Sequence, residues 1–441
     1  MTTNGSSNLA FGGYRTRGYG SEFGTPDLRL TQVGRGTPGG EYLRRFWHPV
    51  AYEREVLDVP LRVRILGEDL VLFRDRSERI GLLFLNCCHR GASLEFGLIE
   101  QHGLRCCYHG RVFDVDGRQL EIPGEPASEQ IKRSFAQGAY PTHLFGGMIF
   151  AYMGPPEATP PFPRYDIFDV PGMRLVPGSR LPFACNWVTI KDNAMDPAHT
   201  GILHAIPAPG QPFSPLFGTF PAMFFGETPV GLAWLAARRS GNDVWVRTMD
   251  FLMPNQHVLT SITGDGWDDP TYSPPWISIW TTPVDDENSI NFVLNYIVEN
   301  DRTTDDERRH QVNFGQQPDR PFSERQRVPG DYDVMVSQGA IAVHATERLA
   351  RNDVGLGLFR KALRIGIDAV ERGEDPPFLS REREVRETYV NNQKVALPKN
   401  VDGADEPLLL QSICKQLFDQ ALQLPPQRAR MKRAKVERAA G

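Results

Sequence analysis

Two short runs, Asn86-Cys87-Cys88-His89-Arg90-Gly91 and Cys106-Cys107-Tyr108-His109-Gly110, each pair a cysteine with a histidine. Cys87-x-His89 is followed, after sixteen residues, by Cys106-x-x-His109. Together they offer two thiolates and two imidazoles. Thiolates suit zinc or iron–sulfur clusters, and imidazole suits zinc, copper, iron or nickel. Two His replacing two Cys on one iron of a [2Fe–2S] cluster make a Rieske centre, whereas Cys₂His₂ is also a structural zinc set. Zinc fingers usually space their ligands C-x₂₋₄-C and H-x₃₋₅-H. Here each loop carries one of each kind, so each iron of a cluster can take two like ligands. The ligand order favours the Rieske centre over zinc.

Around these runs the chain looks like a soluble globule. Its 441 residues leave room for two or three domains. It is 40% hydrophobic and 23% charged with a net charge of −5, so no global basic balance points to nucleic acid. No run approaches ~18 consecutive apolar residues, and the first residues lack a charged-then-apolar leader pattern. The expectation is a cytoplasmic protein. Four of six cysteines lie in the two loops, with Cys185 and Cys414 isolated, which is metal usage and not a disulfide framework.

Residues 1–45 read as an irregular Gly/Thr/Arg/Ser-rich arm and a short helix ending before Pro49. His48, between Trp47 and Pro49, reads as a packed histidine and not a ligand. From residue 60 the hydrophobic period is two: 61–66, 69–74, 80–85 and 111–115 alternate, with a hairpin signal at Asp116-Gly117 and another strand at 145–153. Residues 46–160 are therefore expected to form a small antiparallel β domain, with the metal loops at its hairpin tips and 154–163 as a Pro-rich linker. Residues 161–425 show strand patterns at 231–237, 244–253, 276–282 and 290–298. Helical patterns follow at 354–372, where Phe359, Leu363, Ile367 and Val370 share a face, and at 408–422. This is an α+β arrangement: a small antiparallel β Rieske domain, then an antiparallel sheet with packed helices. Residues 426–441 form a basic tail, read as a frayed terminus.

Asp196-x-x-His199-x₄-His204 supplies a second candidate site. Two His and one carboxylate on one face of an iron form the facial triad of non-haem Fe(II) oxygenases. Asp196 and His199 are three apart and share a helical face, so Asp196 suits orienting His199 better than binding metal. It also suits an N-cap before Pro197. His199 and His204, five apart, would diverge by ~140° on an ideal helix, and a π-type distortion would bring them together. The third ligand is sought among Asp331, Asp333, Glu347 and Asp353.

These features resemble the ring-hydroxylating Rieske oxygenases, in particular the oxygenase (α) subunits of the phthalate-dioxygenase-type branch. The likeness rests on the paired loops with Tyr108-His109-Gly110, on the segment 36–50, and on Asp192-Asn193 ahead of Asp196-x-x-His199-x₄-His204. It also rests on the run from Ser337 through Glu347 and Asp353 to Lys361, and spans residues 36–372. Cys88 and Cys107 depart from it, standing where proline is common; they read as small buried hydrophobes. The resemblance implies a [2Fe–2S] cluster on Cys87, His89, Cys106 and His109, and a mononuclear Fe(II) on His199, His204 and Asp353. It implies Asp196 as the bridge from His199 to His109 of a neighbouring subunit, hence a homotrimer or hexamer. It further implies O₂ as co-substrate, with NAD(P)H electrons arriving through a partner reductase or ferredoxin.

The expected activity is hydroxylation of an aromatic substrate, with oxidative O-demethylation of an aryl methyl ether as the alternative. A Rieske electron carrier and a zinc-stapled binding protein are the other classes. Phe213, Phe217, Phe220, Phe224, Phe225 and Trp234 are candidate pocket residues, though packing explains most of them. Arg238, Arg239 and Arg247 are candidate clamps for a substrate carboxylate, with a solvated strand end the plainer reading for the first two.

Overall fold

The computed structural model describes residues 24–125, 128–205, 215–260, 275–299, 319–389, 391–397 and 405–429. Phe213 and most of the basic tail lie outside them. Two short helices open it, α1 (Leu28–Thr31) and α2 (Pro38–Leu43). Thr37 caps α2 by accepting from the Gly40 N–H, with Pro38 at the first helical position, a common pairing at helix starts. The helix ends at Leu43. His48 and Pro49 belong instead to strand β1 (Trp47–Tyr52), so the turn between them is shorter than the sequence suggested.

The alternating runs become strands β2 (Leu61–Ile65), β3 (Glu68–Arg74) and β4 (Ile80–Phe84), which pair antiparallel in order, with β9 (Ala139–Tyr140) on β4. Four very short strands, β5 (Leu98–Glu100), β6 (Gly103–Arg105), β7 (Val112–Phe113) and β8 (Gln119–Glu121), form a second antiparallel sheet. A third sheet joins β1, β11 (Met148–Tyr152) and β10 (Thr142–Phe145). The run 145–153 is thus not one strand. Gly146 and Gly147, both at positive φ, turn the chain between β10 and β11, a conformation open to glycine without steric cost.

The second half is built on one eight-stranded antiparallel sheet. After β12 (Arg164–Tyr165) come β13 (Met173–Phe183), β14 (Ala222–Thr228), β15 (Gly231–Ser240), β16 (Asp243–Leu252), β17 (Gln256–Thr260), β18 (Pro275–Pro283) and β19 (Ser289–Val298). Strands β14 to β19 form a meander, β13 closes one edge against β19, and the eighth strand, Gln393–Ala396, pairs with β16, while β12 lies outside this sheet. Helix α4 (Trp187–Ala194), which follows the small helix α3 (Ser128–Ser134), is buried from Trp187 to Asp192. Its cap Asn186 accepts from the Val188 N–H at 3.0 Å, while its amide donates to Thr31 O and Asp286 O.

Past α5 (Phe322–Arg327) and α6 (Asp331–Ser337), helix α7 (Val354–Glu371) turns Phe359, Leu363, Ile367 and Val370 inward, the face its periodicity predicts. Helix α8 (Glu406–Gln423) lays Leu410, Ile413, Cys414 and Phe418 on β14 and β15. The core is continuous across the two halves. One cluster joins Val63, Leu70 and Ile149 to Trp187, Trp234 and Phe359, and another joins Tyr52 and Phe150 to Trp280 and Phe292. No helix of the described residues is long and apolar enough to cross a membrane.

Candidate active site: two metal centres

The two cysteine–histidine loops have the same backbone design. Cys87 N–H donates to Ala92 O (2.8 Å) and Gly91 N–H returns to Cys87 O (2.8 Å). Cys106 N–H donates to Arg111 O (2.8 Å) and Gly110 N–H returns to Cys106 O (3.0 Å). Gly91 and Gly110 sit at φ +77° and +69°, the left-handed region that favours glycine. Gln137 holds the first loop from outside: its Oε1 accepts from Cys88 N–H, and its amide donates to Phe84 O and Asn86 O. Cys87 and Cys106 lie buried beside Phe73, Leu94 and Leu104. The His89 and His109 rings meet edge-on at 4.6 Å, nearer the surface.

The donors are therefore sorted into an inner thiol pair and an outer imidazole pair, the division a Rieske cluster uses. Burial first, with the neighbouring Cys106 thiol adding to it, pushes the Cys87 thiol up to about 11. A cationic metal beside Cys87 would offset that cost and favour its thiolate. Cys88 and Cys107 are exposed, not the small buried hydrophobes the sequence suggested. They alternate with the inward-facing ligands, so their side chains point out.

The second centre lies where α4 ends against the large sheet. The chain leaves α4 at Ala194, whose carbonyl accepts from Trp234 Nε1 at 2.9 Å. It continues as two 3₁₀ turns, Ala198–Gly201 and Leu203–Ala205. Neither an α-helix nor a π distortion brings the histidines together; the break at Ile202 between the turns does. His199 Nε2 and His204 Nε2 come to 3.2 Å, and Asp331 Oδ1, at the start of α6, lies 3.4 Å from the first and 3.5 Å from the second. Two ligand atoms each about 2.1 Å from one ion and at right angles to it stand about 3.0 Å apart. The triangle fits three ligands on one face of an ion. Burial pulls His204 down to about 4, against the opposing charge of Asp331, which leaves its ring neutral as a ligand must be.

The carboxylate grouped with the histidines is thus Asp331, and Asp353 is not brought to them. Asp353 Oδ2 accepts from Ala350 N–H at 2.6 Å and caps a 3₁₀ turn. The remaining candidates also have partners of their own. Asp333 accepts from Gly330 N–H, Arg320 and Arg325, and Glu347 is paired with Arg360, which also grips Asp192. Asn193 Nδ2 donates to Asp331 Oδ1 at 3.3 Å. Asp196 divides its oxygens, with Oδ1 accepting from Ala198 N–H (2.8 Å) and Oδ2 lying 3.8 Å from His199 Nδ1.

A cavity of ≈ 150 Å³ opens beside these residues. Strand register explains its wall: Trp234, Leu259 and Ile277 line it from one row across β15 to β18 that runs through the core residue Met249. In the adjacent row, Phe251 pairs with His257 and His257 with Ile279. Arg247 projects from the same face and is only 5% exposed. Its guanidinium lies over the Phe217 and Trp234 rings, and its Nε has no hydrogen-bond partner among the described residues. Arg238, at 2% exposure, is no solvated strand end; it holds Thr219 O and Thr200 Oγ1. Arg239 is exposed and pairs with Glu406. Phe217 and Trp234 line the cavity, whereas Phe224 packs on Phe418, Phe225 on the core, and Phe220 faces solvent.

Residues 46–136 match the family described as the Rieske [2Fe-2S] domain. The oxygenase subunit of the tert-butanol monooxygenase / tert-amyl alcohol desaturase of Aquincola tertiaricarbonis is 42% identical over 390 residues, 83% of this chain and 81% of that protein. Phenoxybenzoate dioxygenase subunit alpha of Ectopseudomonas oleovorans is 36% identical over 371 residues, 80% and 87% of the two chains. Among solved structures, an NdmA mutant of Pseudomonas putida CBB5 with caffeine overlays with a TM-score of 0.59. It covers 83% of this chain and 100% of that one at 20% identity, a likeness of fold. With its paired metal-binding loops and its antiparallel catalytic sheet, the chain belongs to the Rieske non-haem iron oxygenases. Within that family it is an oxygenase (alpha) subunit, an enzyme with a [2Fe–2S] cluster and a mononuclear iron that uses O₂ and electrons from a partner reductase or ferredoxin. The zinc-staple and electron-carrier readings are thereby set aside.

Proposed function

We propose that the mononuclear iron is held by His199, His204 and Asp331, the cluster by Cys87, His89, Cys106 and His109, and that the substrate is an aromatic carboxylic acid anchored by Arg247. The observation that carries the substrate reading is the buried Arg247 guanidinium, whose Nε has no partner among the described residues, in a cavity walled by Phe217, Trp234, Ile277 and Ile279. A buried cation without a counter-ion is costly, and a carboxylate matches its fork of donors. Held by those residues, the iron would supply O₂ activation. The chain's own residues orient the substrate, exclude water with the apolar wall, and hold the histidine ligands. Asp196 Oδ2, 3.8 Å from His199 Nδ1, favours the tautomer that carries its proton on Nδ1 and so keeps Nε2 for the metal.

Asp196 also bridges to His109 of a second copy, within a homotrimer or hexamer. Support comes from apolar side chains exposed on both domains, among them Tyr108 next to His109 and Ile202 between the iron-site histidines, with Phe96, Leu98, Phe135, Phe220 and Leu349. Patches of this kind mark interaction surfaces.

A second substrate reading is a small tertiary alcohol, favoured by the 42% identity to a subunit named for tert-butanol and tert-amyl alcohol. Ring hydroxylation and O-demethylation share the first reading, and formaldehyde release separates them. Arg247→Gln decides between acid and alcohol. For an aryl acid it raises KM about 10–100-fold, the worth of one charge-assisted bond, while an uncharged analogue is little affected. Unchanged KM for acids in the variant contradicts the aryl-acid reading.

A further inference from the structure

Helix α4 carries a lysine that neither metal centre uses. Lys191 is 0% exposed, its Nζ lies 2.9 Å from His257 Nδ1 and 5.6 Å from the centroid of the Phe251 ring. Among the described residues no carboxylate pairs with it. His257 is itself buried, on β17, and its ring lines the cavity on the same face as Arg247. A lysine ammonium has three donors and no acceptor, whereas a neutral imidazole has one donor and one acceptor. The amine is the stronger base, so a proton held by the pair resides on Nζ. Nδ1 must then accept, and the ring proton sits on Nε2, whose nitrogen makes no hydrogen bond among the described residues.

We propose that Lys191 is a positioning residue that fixes His257 with its Nε2–H donor in the cavity, beside Arg247, as the second anchor for the anionic group of the substrate. The inference rests on the aryl-acid reading and adds a residue pair to it. Among the described residues no carboxylate pairs with Lys191, His257 or Arg247, and the cavity's acids, Asp196 and Asp331, stand with the histidines of the iron site. Burial pulls Lys191 well below the ordinary lysine range. His257 is lowered by burial first, then by the nearby charges of Lys191 and Arg247. An incoming carboxylate supplies the missing countercharge, holds the proton on Nζ and accepts from Nε2–H and the guanidinium together.

The test measures binding of benzoate, phenoxybenzoate and benzamide to the full-length, iron-loaded protein by anaerobic calorimetry. His257→Phe and Lys191→Met are each expected to weaken carboxylate binding about tenfold or more and to leave benzamide within about twofold. The double variant should lose no more than either single one, because Lys191 acts only through His257; a general packing role would make the losses add. His257→Gln places an amide N–H where Nε2 stands and should keep carboxylate affinity within about threefold, which also covers the case of Lys191→Met failing to fold. Carboxylate affinity unchanged in His257→Phe but lost in Arg247→Gln overturns this inference and leaves the aryl-acid reading intact. Affinity unchanged in both, or no carboxylate binding by the wild type, overturns both.

Discussion

Carboxylates of one chemical kind are given different work here by their nearest partners. Asp333 and Glu347 are neutralised by arginines, Asp353 caps a turn, and Asp331 alone of the four candidates faces the two imidazoles. Asp196 is shared between a backbone N–H and His199. Asn in place of Asp196 keeps the cap but loses the anion. Asp196→Asn is therefore expected to retain both metal centres and to slow single-turnover oxidation of the reduced cluster about 10–100-fold, the usual cost of losing a partner to a ligand; rapid-mixing absorbance reads it directly. The paired histidines and cysteines were legible as candidates, because their spacing picks them out. The carboxylate that stands beside His199 and His204 was not. Asp331 and Asp353 both stand at the start of helices in sequence, and only the packing of α6 beside α4, through Asn193, separates them. Arg247 was legible as a candidate, but its burial was not: β16 reads as an ordinary alternating strand until register places Arg247 over Phe217.

At the level of elements, the metal-bearing segment depends on how closely α7 approaches it. A Cβ added at Gly355 would stand 2.4 Å from Met195 O and from the Phe225 ring, inside van der Waals contact. Gly355→Ala is expected to cost about 1–3 kcal/mol as overpacking. By displacing Met195, next to Asp196, it should also lower mononuclear iron occupancy while the cluster spectrum is kept. Thermal unfolding and iron analysis check both, and full iron with unchanged stability would show that the contact yields freely. Helix α7 was readable from its 3.6-residue period, and strands β15, β16, β18 and β19 from their runs of apolar and β-branched residues, whereas β14 and the short β17 were not. The segment between His199 and His204 was not readable as two 3₁₀ turns, because such turns carry no hydrophobic period.

Across the whole molecule, the cluster domain and the catalytic sheet share core residues, and His48 sits at that seam. Its Nε2 donates to Leu43 O at 2.7 Å, and its Nδ1 accepts from Asn255 Nδ2 at 3.0 Å. It is the packed histidine its neighbours in sequence suggested. Burial first, with the Arg44 charge also lowering it and the bond to Leu43 opposing, pulls it from 6.5 to about 4. Above pH 6.5 the ring is neutral folded or unfolded, and the full stability is present. Between 6.5 and 4 the unfolded chain takes the proton and the folded one does not, so stability falls as pH falls, by about 3 kcal/mol for this group. His48→Gln should flatten that part of the difference in Tm between pH 7 and pH 4.5; an identical pH slope in the variant contradicts it. The two-domain order and the α+β class were legible from the change of period along the chain. The shared core was not, since contacts such as Tyr52 with Phe292 join positions far apart in sequence.

Whether His199, His204 and Asp331 hold the mononuclear iron beside a Rieske cluster is tested most directly by counting iron and acid-labile sulfide per chain, without air. Wild type, Asp331→Ala and Asp353→Asn would be compared after supplying Fe(II). About three iron and two sulfide in wild type and in Asp353→Asn, with about two iron and two sulfide in Asp331→Ala, is the expected result. Three iron retained in Asp331→Ala, or the third lost in Asp353→Asn, would contradict the ligand set.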